Sequence, residues 1–123
     1  MASQAASELL YEHAYCCYQN GLYEKASAIF RYLTLLQPNG VRNWLGLGSS
    51  LMLLSRYEEA ESIFTVAIAK NSTDIRPYIY SAECLNKLGR NLEKKQLLKY
   101  IEGAFSKNER HEFAHDIERL YNG

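Results

Sequence analysis

The chain has little that would draw it to a charged partner or into a membrane. Its 14 Lys and Arg residues are balanced by 14 Asp and Glu residues, so net charge gives no reason to expect binding to nucleic acid or to an anionic membrane. No apolar stretch approaches the roughly 18 residues of a membrane-spanning helix, and the first residues lack the apolar core of a signal peptide. We therefore expect a cytoplasmic protein with no membrane span and no nucleic-acid partner.

Cysteine is scarce, and its positions suit neither disulfides nor a metal. The chain has three cysteines, Cys16, Cys17 and Cys84, an odd number without a C-x-x-C spacing, which argues against a disulfide framework and against a zinc site. The three histidines add no metal-binding spacing, so we expect no metal and no cofactor. Cys16 falls in a column with Ser50 and Cys84, as small packing residues do. We expect all three cysteines to be buried.

Phosphate-binding loops are also lacking, although Gly46 and Gly48 lie two residues apart in an apolar stretch. A dinucleotide loop would need a third glycine where Leu51 stands, and a P-loop would need a lysine after its last glycine. The leucine-rich surroundings favour a helix, in which each glycine costs about 1 kcal/mol relative to alanine. Since the sequence also shows no nucleophile activated by a neighbouring base, we predict that the protein is not an enzyme and has no catalytic residue.

What the sequence does contain is a repeat with a period of 34 residues. Shifted by this period, Ala26 falls on Ala60 and Phe30 falls on Phe64. Trp44 begins a W-x-x-L-G pattern that, followed by A-x-x-x-F, is typical of the tetratricopeptide (TPR) repeat, a helix-turn-helix unit. Further columns are Leu10, Trp44 and Tyr78; Ala14, Gly48 and Ala82; Cys17, Leu51 and Leu85; and the turn residues Gly21, Ser55 and Gly89. We predict an all-α TPR helix-turn-helix solenoid with three repeats and a C-terminal capping helix.

The columns give a role to one of the two glycines. Gly48 aligns with Ala14 and Ala82, at a position where a larger side chain would hold the two helices of a repeat apart. We therefore predict that it is a packing glycine. Gly46 aligns with residues of other sizes, and the periodicity assigns it no role.

The repeat also predicts the boundaries of the helices. A single TPR domain is expected over residues 1–123, with repeats at about 7–40, 41–74 and 75–106 and a capping helix at about 108–121. The six helices of the repeats are expected at about 5–20, 22–36, 40–54, 56–70, 74–88 and 90–104. Asp74 is predicted to cap the helix that follows it. Lys94 occupies the alanine column of a degenerate third repeat, and we expect it on a solvated face with Lys87, Arg90, Lys95 and Lys99.

The first helices of stacked repeats line a concave face that such solenoids use for binding. Tyr11, Tyr15 and Tyr18 follow the helical spacing and adjoin the packing column, so we predict that they line this groove rather than complete the core. Arg42 and Arg76 would lie near the starts of their helices and hold a peptide's carbonyls or carboxylates, or else remain solvated. The predicted partner-binding residues are Tyr11, Tyr15, Tyr18, Arg42, Leu45, Ser49, Met52, Arg76, Ile79 and Glu83.

Several motifs are more specific than the TPR pattern. They are Tyr11-x-x-Ala14, Tyr18-x-x-Gly21-x-Tyr23-Glu24-x-Ala26-x-x-x-Phe30, Leu45-Gly46-Leu47-Gly48, Tyr57-x-x-Ala60, and Arg76-Pro77-Tyr78 leading into Ala82-Glu83-Cys84-Leu85. With these motifs the chain resembles the small TPR chaperones of bacterial type III secretion, the class II chaperones that hold translocator subunits before export. The resemblance runs from about Leu10 to Leu98.

The resemblance implies a partner and a mode of binding. An export substrate, a translocator subunit, would lie as an extended segment along the groove and be kept soluble in the bacterial cytoplasm, with Tyr11, Tyr15, Tyr18, Leu45 and Met52 as its contacts. Members of the family self-associate through a longer N-terminal segment, so a homodimer is possible. Two alternatives remain open. Chaperones of the needle subunit are also small TPR proteins, and one of these would use the same groove for an amphipathic helix. The sequence also fits a general TPR adaptor that joins two folded proteins.

Overall fold

A computed structural model describes residues 3–123, so the first two residues of the predicted domain, Met1 and Ala2, lie outside the described part. Within residues 3–123 the regular secondary structure is entirely helical. The helices are α1 (Gln4–Gln19), α2 (Tyr23–Leu36), α3 (Val41–Leu53), α4 (Tyr57–Lys70), α5 (Arg76–Lys87), α6 (Asn91–Ala104), α7 (Lys107–Arg110) and α8 (Ala114–Asn122), with a 3₁₀ turn at His111–Phe113 between the last two. None of the helices described over 3–123 has the length and hydrophobicity needed to span a membrane.

Consecutive helices pack against one another from α1 to α6, and α8 packs on α5 and α6. This is the predicted all-α TPR solenoid. The first six predicted helices agree with the structure to within two residues at each end. The predicted single capping helix at 108–121 is wrong in detail, because the segment is divided into α7, the 3₁₀ turn and α8. Ser106 and Glu109 form a reciprocal capping box that begins α7, and Phe113 of the 3₁₀ turn packs into the core.

The turn within each repeat uses the same backbone geometry three times. Gly21, Ser55 and Gly89 all have positive φ, at 77°, 60° and 71°. The residue after each turn donates its N–H to the carbonyl oxygen five residues earlier at 2.9 Å, from Leu22 to Cys17, from Arg56 to Leu51 and from Arg90 to Leu85. This bond is the defining one of the Schellman motif, which closes a helix through a left-handed residue. The column of turn residues therefore corresponds to a repeated helix C-cap.

Both glycines of α3 lie against phenylalanine rings. A Cβ atom at Gly48 would come within 2.5 Å of Cε1 of Phe64, which belongs to the second helix of the same repeat. A Cβ atom at Gly46 would come equally close, 2.5 Å, to Cε1 of Phe30, which belongs to the preceding repeat. The packing role predicted for Gly48 is confirmed. Gly46 has the matching role across the boundary between repeats, which sequence periodicity did not reveal.

Two expectations about burial are wrong. Cys16 is exposed, whereas Cys17 and Cys84 are buried. Ser50 and Cys84, in the same column as Cys16, are covered because α3 packs on α2 and α5 packs on α4, while α1 is the first helix that the structure describes.

Lys94 is the second exception, because it is only 1% exposed instead of lying on a solvated face. Its ammonium group donates to Oδ1 of Asn86 at 2.8 Å and to the carbonyl oxygen of Gly123 at 3.3 Å, just beyond the C-terminal end of α8. A cation is favourable at that end of a helix, where the backbone carbonyls are unpaired. The long side chain thus replaces the small alanine of the other repeats and joins α6 to the end of the capping segment.

The contact between Gly48 and Phe64 gives a stability prediction. Gly48→Ala should destabilise the fold by about 1–3 kcal/mol, because overpacking the contact outweighs the gain of about 1 kcal/mol in helix propensity. Gly103→Ala is the matched control, since a Cβ atom at Gly103 of α6 would have no neighbour within 4 Å, and this variant should be stabilised by about 0.5–1 kcal/mol. Urea unfolding followed by circular dichroism measures both. Equal stabilisation of the two variants would contradict the packing role.

Candidate functional site

A cleft of about 160 Å³ opens on the face formed by the first helices of the repeats. We call it the tyrosine cleft. Its lining residues are Tyr11, Tyr15, Tyr18, Phe30, Arg42, Leu45, Gly46, Ser49, Arg76 and Tyr80. Seven of these were predicted as partner-binding residues from the sequence, namely Tyr11, Tyr15, Tyr18, Arg42, Leu45, Ser49 and Arg76. The structure therefore brings together residues from α1, α3 and α5 around one opening.

The tyrosines form a half-open aromatic wall. The rings of Tyr11 and Tyr15 stack with centroids 6.2 Å apart, and Tyr11 also meets Phe30 edge to face at 5.9 Å. Tyr15 is 47% exposed, so its ring is accessible from solvent. Tyr18 packs edge to face on Tyr23 at 5.6 Å, and burial raises its pKa above the usual 10.0. Its hydroxyl is thus protonated at neutral pH and available as a hydrogen-bond donor.

Two arginines border these rings, and both are held by carboxylates. The guanidinium carbon of Arg42 lies 3.7 Å from the centroid of the Tyr11 ring, in a cation–π contact. Its Nη2 atom is 2.5 Å from Oε1 of Glu8. Arg76 donates from Nε to Oδ1 of Asp74 at 3.0 Å and from Nη2 to Oδ2 at 2.6 Å. The resulting hydrogen bonds hold the pKa of Asp74 below its usual value.

The prediction that Asp74 caps the following helix needs correction. The helix α5 begins at Arg76 and its N-cap residue is Ile75. Asp74, one residue earlier, still accepts the backbone N–H of Arg76 on Oδ1 at 3.0 Å. Its carboxylate thereby satisfies a free N–H of the first turn, although the residue stands outside the N-cap position. The same carboxylate fixes the side chain of Arg76 at the edge of the tyrosine cleft.

The remaining predicted partner-binding residues lie in a second cleft, with a volume of about 310 Å³. It is lined by Met52, Leu53, Tyr57, Ile79, Tyr80, Glu83, Lys87 and Asp116. Ile79 is only 1% exposed and lies in the core beneath this cleft, as Leu45, at 7%, lies beneath the tyrosine cleft. The role of both residues in binding stays a prediction. Glu83 makes an ion pair with Arg119 of α8. The capping helix thus contributes charged groups to this end of the concave face.

Tyr80 borders both clefts and was not predicted from the sequence. Its column holds Glu12 and Gly46, so the repeat gave no common property to recognise. In the structure its ring packs against Phe64 at 5.5 Å and against Phe113 of the capping segment at 6.5 Å. Burial raises its pKa above 10.0. Tyr80 links the tyrosine cleft to the second cleft along the concave face.

Among residues 3–123, no three His, Cys, Asp or Glu side chains lie close enough together to hold a metal ion. The side chains around the tyrosine cleft are aromatic, aliphatic, small or cationic, which suits contact with a polypeptide.

Comparisons with known proteins show what this chain is similar to. No family model matches it. Chaperone protein SicA of Salmonella dublin is 28% identical over 75 residues, which cover 61% of this chain and 46% of SicA. Low calcium response locus protein H of Yersinia pestis is 32% identical over 82 residues, covering 67% of this chain and 49% of that protein. The chain spans about half the length of these curated relatives.

A solved structure matches nearly the whole chain in fold. The type III secretion chaperone SycD of Yersinia enterocolitica, in complex with a peptide of the translocator YopD, superposes with a TM-score of 0.89. It is 27% identical, and the match covers 96% of this chain and 91% of SycD. This chain is a relative of the type III secretion chaperones. The resemblance inferred from the motifs is confirmed. Both clefts lie on the TPR solenoid of this chain.

The pair formed by Arg76 and Asp74 gives a pH-dependent prediction. Because the pKa of Asp74 is lowered in the folded chain, its contribution to stability is present above the ordinary pKa and is lost as the pH falls through the folded value. Asp74→Asn should lower the melting temperature by about 2–4 °C at pH 7, and this deficit should shrink at strongly acidic pH. Arg76→Gln should remove the same acid-dependent increment. A deficit that stays constant with pH would contradict the assigned role of the ion pair.

Proposed function

We propose that this chain is a type III secretion chaperone that binds a segment of a translocator subunit on its concave face and keeps that subunit soluble before export. The tyrosine cleft carries this proposal, because it is an aromatic, partly open site on the first helices of a chain that resembles a translocator-peptide-bound chaperone in fold. Such a chaperone would meet its substrate in the bacterial cytoplasm. Salt-bridged arginines at the cleft edge complete a surface suited to an extended polypeptide.

The chemistry of the cleft supports capture of an apolar segment. Aromatic side chains provide large contact areas at a small entropic cost, and Tyr and Arg are enriched among residues that dominate binding energy. The ring of Tyr15 is held by its stack on Tyr11, so little ordering is needed when a ligand arrives. By this proposal, the cleft covers an apolar segment of the translocator subunit until export.

We infer that the chain does no covalent chemistry of its own. Burial raises the pKa of the Cys84 thiol to about 12, so this cysteine is a protonated packing residue at neutral pH rather than a nucleophile. The tyrosines and arginines of the cleft act through contact area, hydrogen bonds and charge. Binding and release of a polypeptide require nothing further.

The proposal is tested by truncating the most accessible ring of the cleft. Tyr15→Ala should weaken binding of a translocator segment by about 2 kcal/mol, the usual size for an aromatic anchor, while the melting temperature changes little. The ligands tested are the translocator subunits encoded in the same genome. Each subunit is first co-expressed with the chain, and its segments are then purified and titrated. The needle subunit of the same secretion system is titrated in parallel.

Tyr32→Ala is the matched control, because Tyr32 is similarly exposed, at 53%, but lies on α2 and belongs to neither cleft. Its binding should equal that of the unaltered chain. If Tyr15→Ala binds normally, or if it loses binding only because it unfolds, the cleft is not the binding site. Preferential binding of the needle subunit would replace the translocator as the proposed substrate.

A further inference from the structure

We propose that Arg42 and Arg76 make the tyrosine cleft selective for a segment that carries a side-chain carboxylate next to its apolar anchor. This inference rests on the proposed function, since it concerns the segment bound in the same cleft. It adds a requirement on the substrate's sequence that the aromatic wall alone would not impose.

The charges on the wall of the cleft have one sign. Of the ten described residues that line it, Arg42 and Arg76 are the charged ones, and both are cationic. Their partners, Glu8 and Asp74, do not line the cleft and hold the guanidinium groups from outside it. A ligand inside the cleft therefore meets two cations directly, while the compensating carboxylates lie behind them.

Both guanidinium groups retain donors for a ligand. A guanidinium has five N–H donors. The hydrogen bonds of Arg42 to Glu8 involve Nη2, and those of Arg76 to Asp74 involve Nε and Nη2. About half of each side chain is exposed. The remaining N–H groups are thus accessible for a second acceptor, and the existing ion pairs already fix the side chains in place, which reduces the entropy lost on binding.

The aromatic surroundings favour a charged acceptor over a neutral one. Arg42 lies over the face of Tyr11, and a charged pair formed beside apolar rings is less screened than a pair in open water. A guanidinium often binds a carboxylate through two parallel hydrogen bonds, which adds energy and geometric specificity that a single neutral carbonyl oxygen does not supply. A lysine or arginine at the same place in the segment would face two like charges, so the cleft also discriminates against basic segments.

The second cleft does not share this preference. Its wall contains Glu83 and Asp116 together with Lys87, and Arg119 pairs with both of the acidic residues. Acidic selectivity is therefore a local property of the tyrosine cleft. An acidic residue that lay only beside the second cleft would gain no comparable contact.

The test uses segments of 20 residues that tile the translocator subunits of the same genome, acetylated at the N-terminus and each prepared with an amidated and with a free C-terminus. The tightest segment that loses affinity with Tyr15→Ala is resynthesised with each Asp or Glu replaced in turn by Asn or Gln. One such replacement should weaken binding to the unaltered chain by about fivefold, the size expected for a partly exposed charged hydrogen bond. Replacement of the same residue by Lys should weaken binding further.

The loss should depend on the two arginines. With Arg42→Gln, Arg76→Gln and the double variant, the acidic segment should bind progressively less tightly, and the amide replacement should have no further effect on the double variant. Arg56→Gln is the matched control, because Arg56 is also half exposed and paired with a glutamate, Glu24, but lies in neither cleft. It should retain the full response to the amide replacement. Thermal melting confirms that each variant is folded.

Four results would overturn the inference. Binding that depends on Tyr15 but not on any acidic residue would leave the proposed function intact and remove the selectivity alone. An effect of the amide replacement that persists in the arginine double variant would assign the preference to other groups. Binding only by segments with a free C-terminal carboxylate would replace the internal side chain as the ligand. If no segment binds at all, the proposed function falls together with the inference.

Discussion

The close packing of two phenylalanine rings against α3 is the contact that fixes the spacing of the helices. Phe30 fills the space beside Gly46, and Phe64 fills the space beside Gly48, with no room for a Cβ atom at either glycine. The first contact crosses from one repeat to the next, and the second joins the two helices within a repeat. Together they hold α3 between α2 and α4, where its residues Leu45 and Ser49 line the tyrosine cleft.

The tyrosine cleft inherits its geometry from this packing. Phe30 belongs both to the buried core and to the lining of the cleft, where it meets the edge of Tyr11. Tyr11 in turn supports the ring of Tyr15 and the guanidinium group of Arg42. The tyrosine cleft therefore lies one layer of side chains above the core. A change in helix spacing would move the aromatic wall and the cations together, so fold and site are physically coupled.

The sequence predicted the features that recur in every repeat. It did not predict those that depend on the ends of the solenoid. The helices and the positions of the three turns followed from columns in which each member has the same physical role. The left-handed geometry of the turns came from the structure. Cys16 and Lys94 break their columns because α1 is not covered by an earlier repeat within the described residues and α6 meets the capping segment. Tyr80 shares its column with a glycine and a glutamate, so its place between the clefts depends on tertiary packing alone. Seven predicted groove residues meet at one cleft, and their role in binding is a prediction.

The contacts of Gly46 and Gly48 stabilise the solenoid in two different ways. In a linear array each unit has its own stability and a separate coupling to its neighbour. The contact between Gly48 and Phe64 contributes to the stability of one repeat, because both residues lie in it. The contact between Gly46 and Phe30 contributes to the coupling between two repeats. Loosening the inter-repeat contact would let the first repeat open while the others remain folded. Since α1 carries Tyr11, Tyr15 and Tyr18, such partial opening would take apart the aromatic wall of the tyrosine cleft before the rest of the solenoid unfolds.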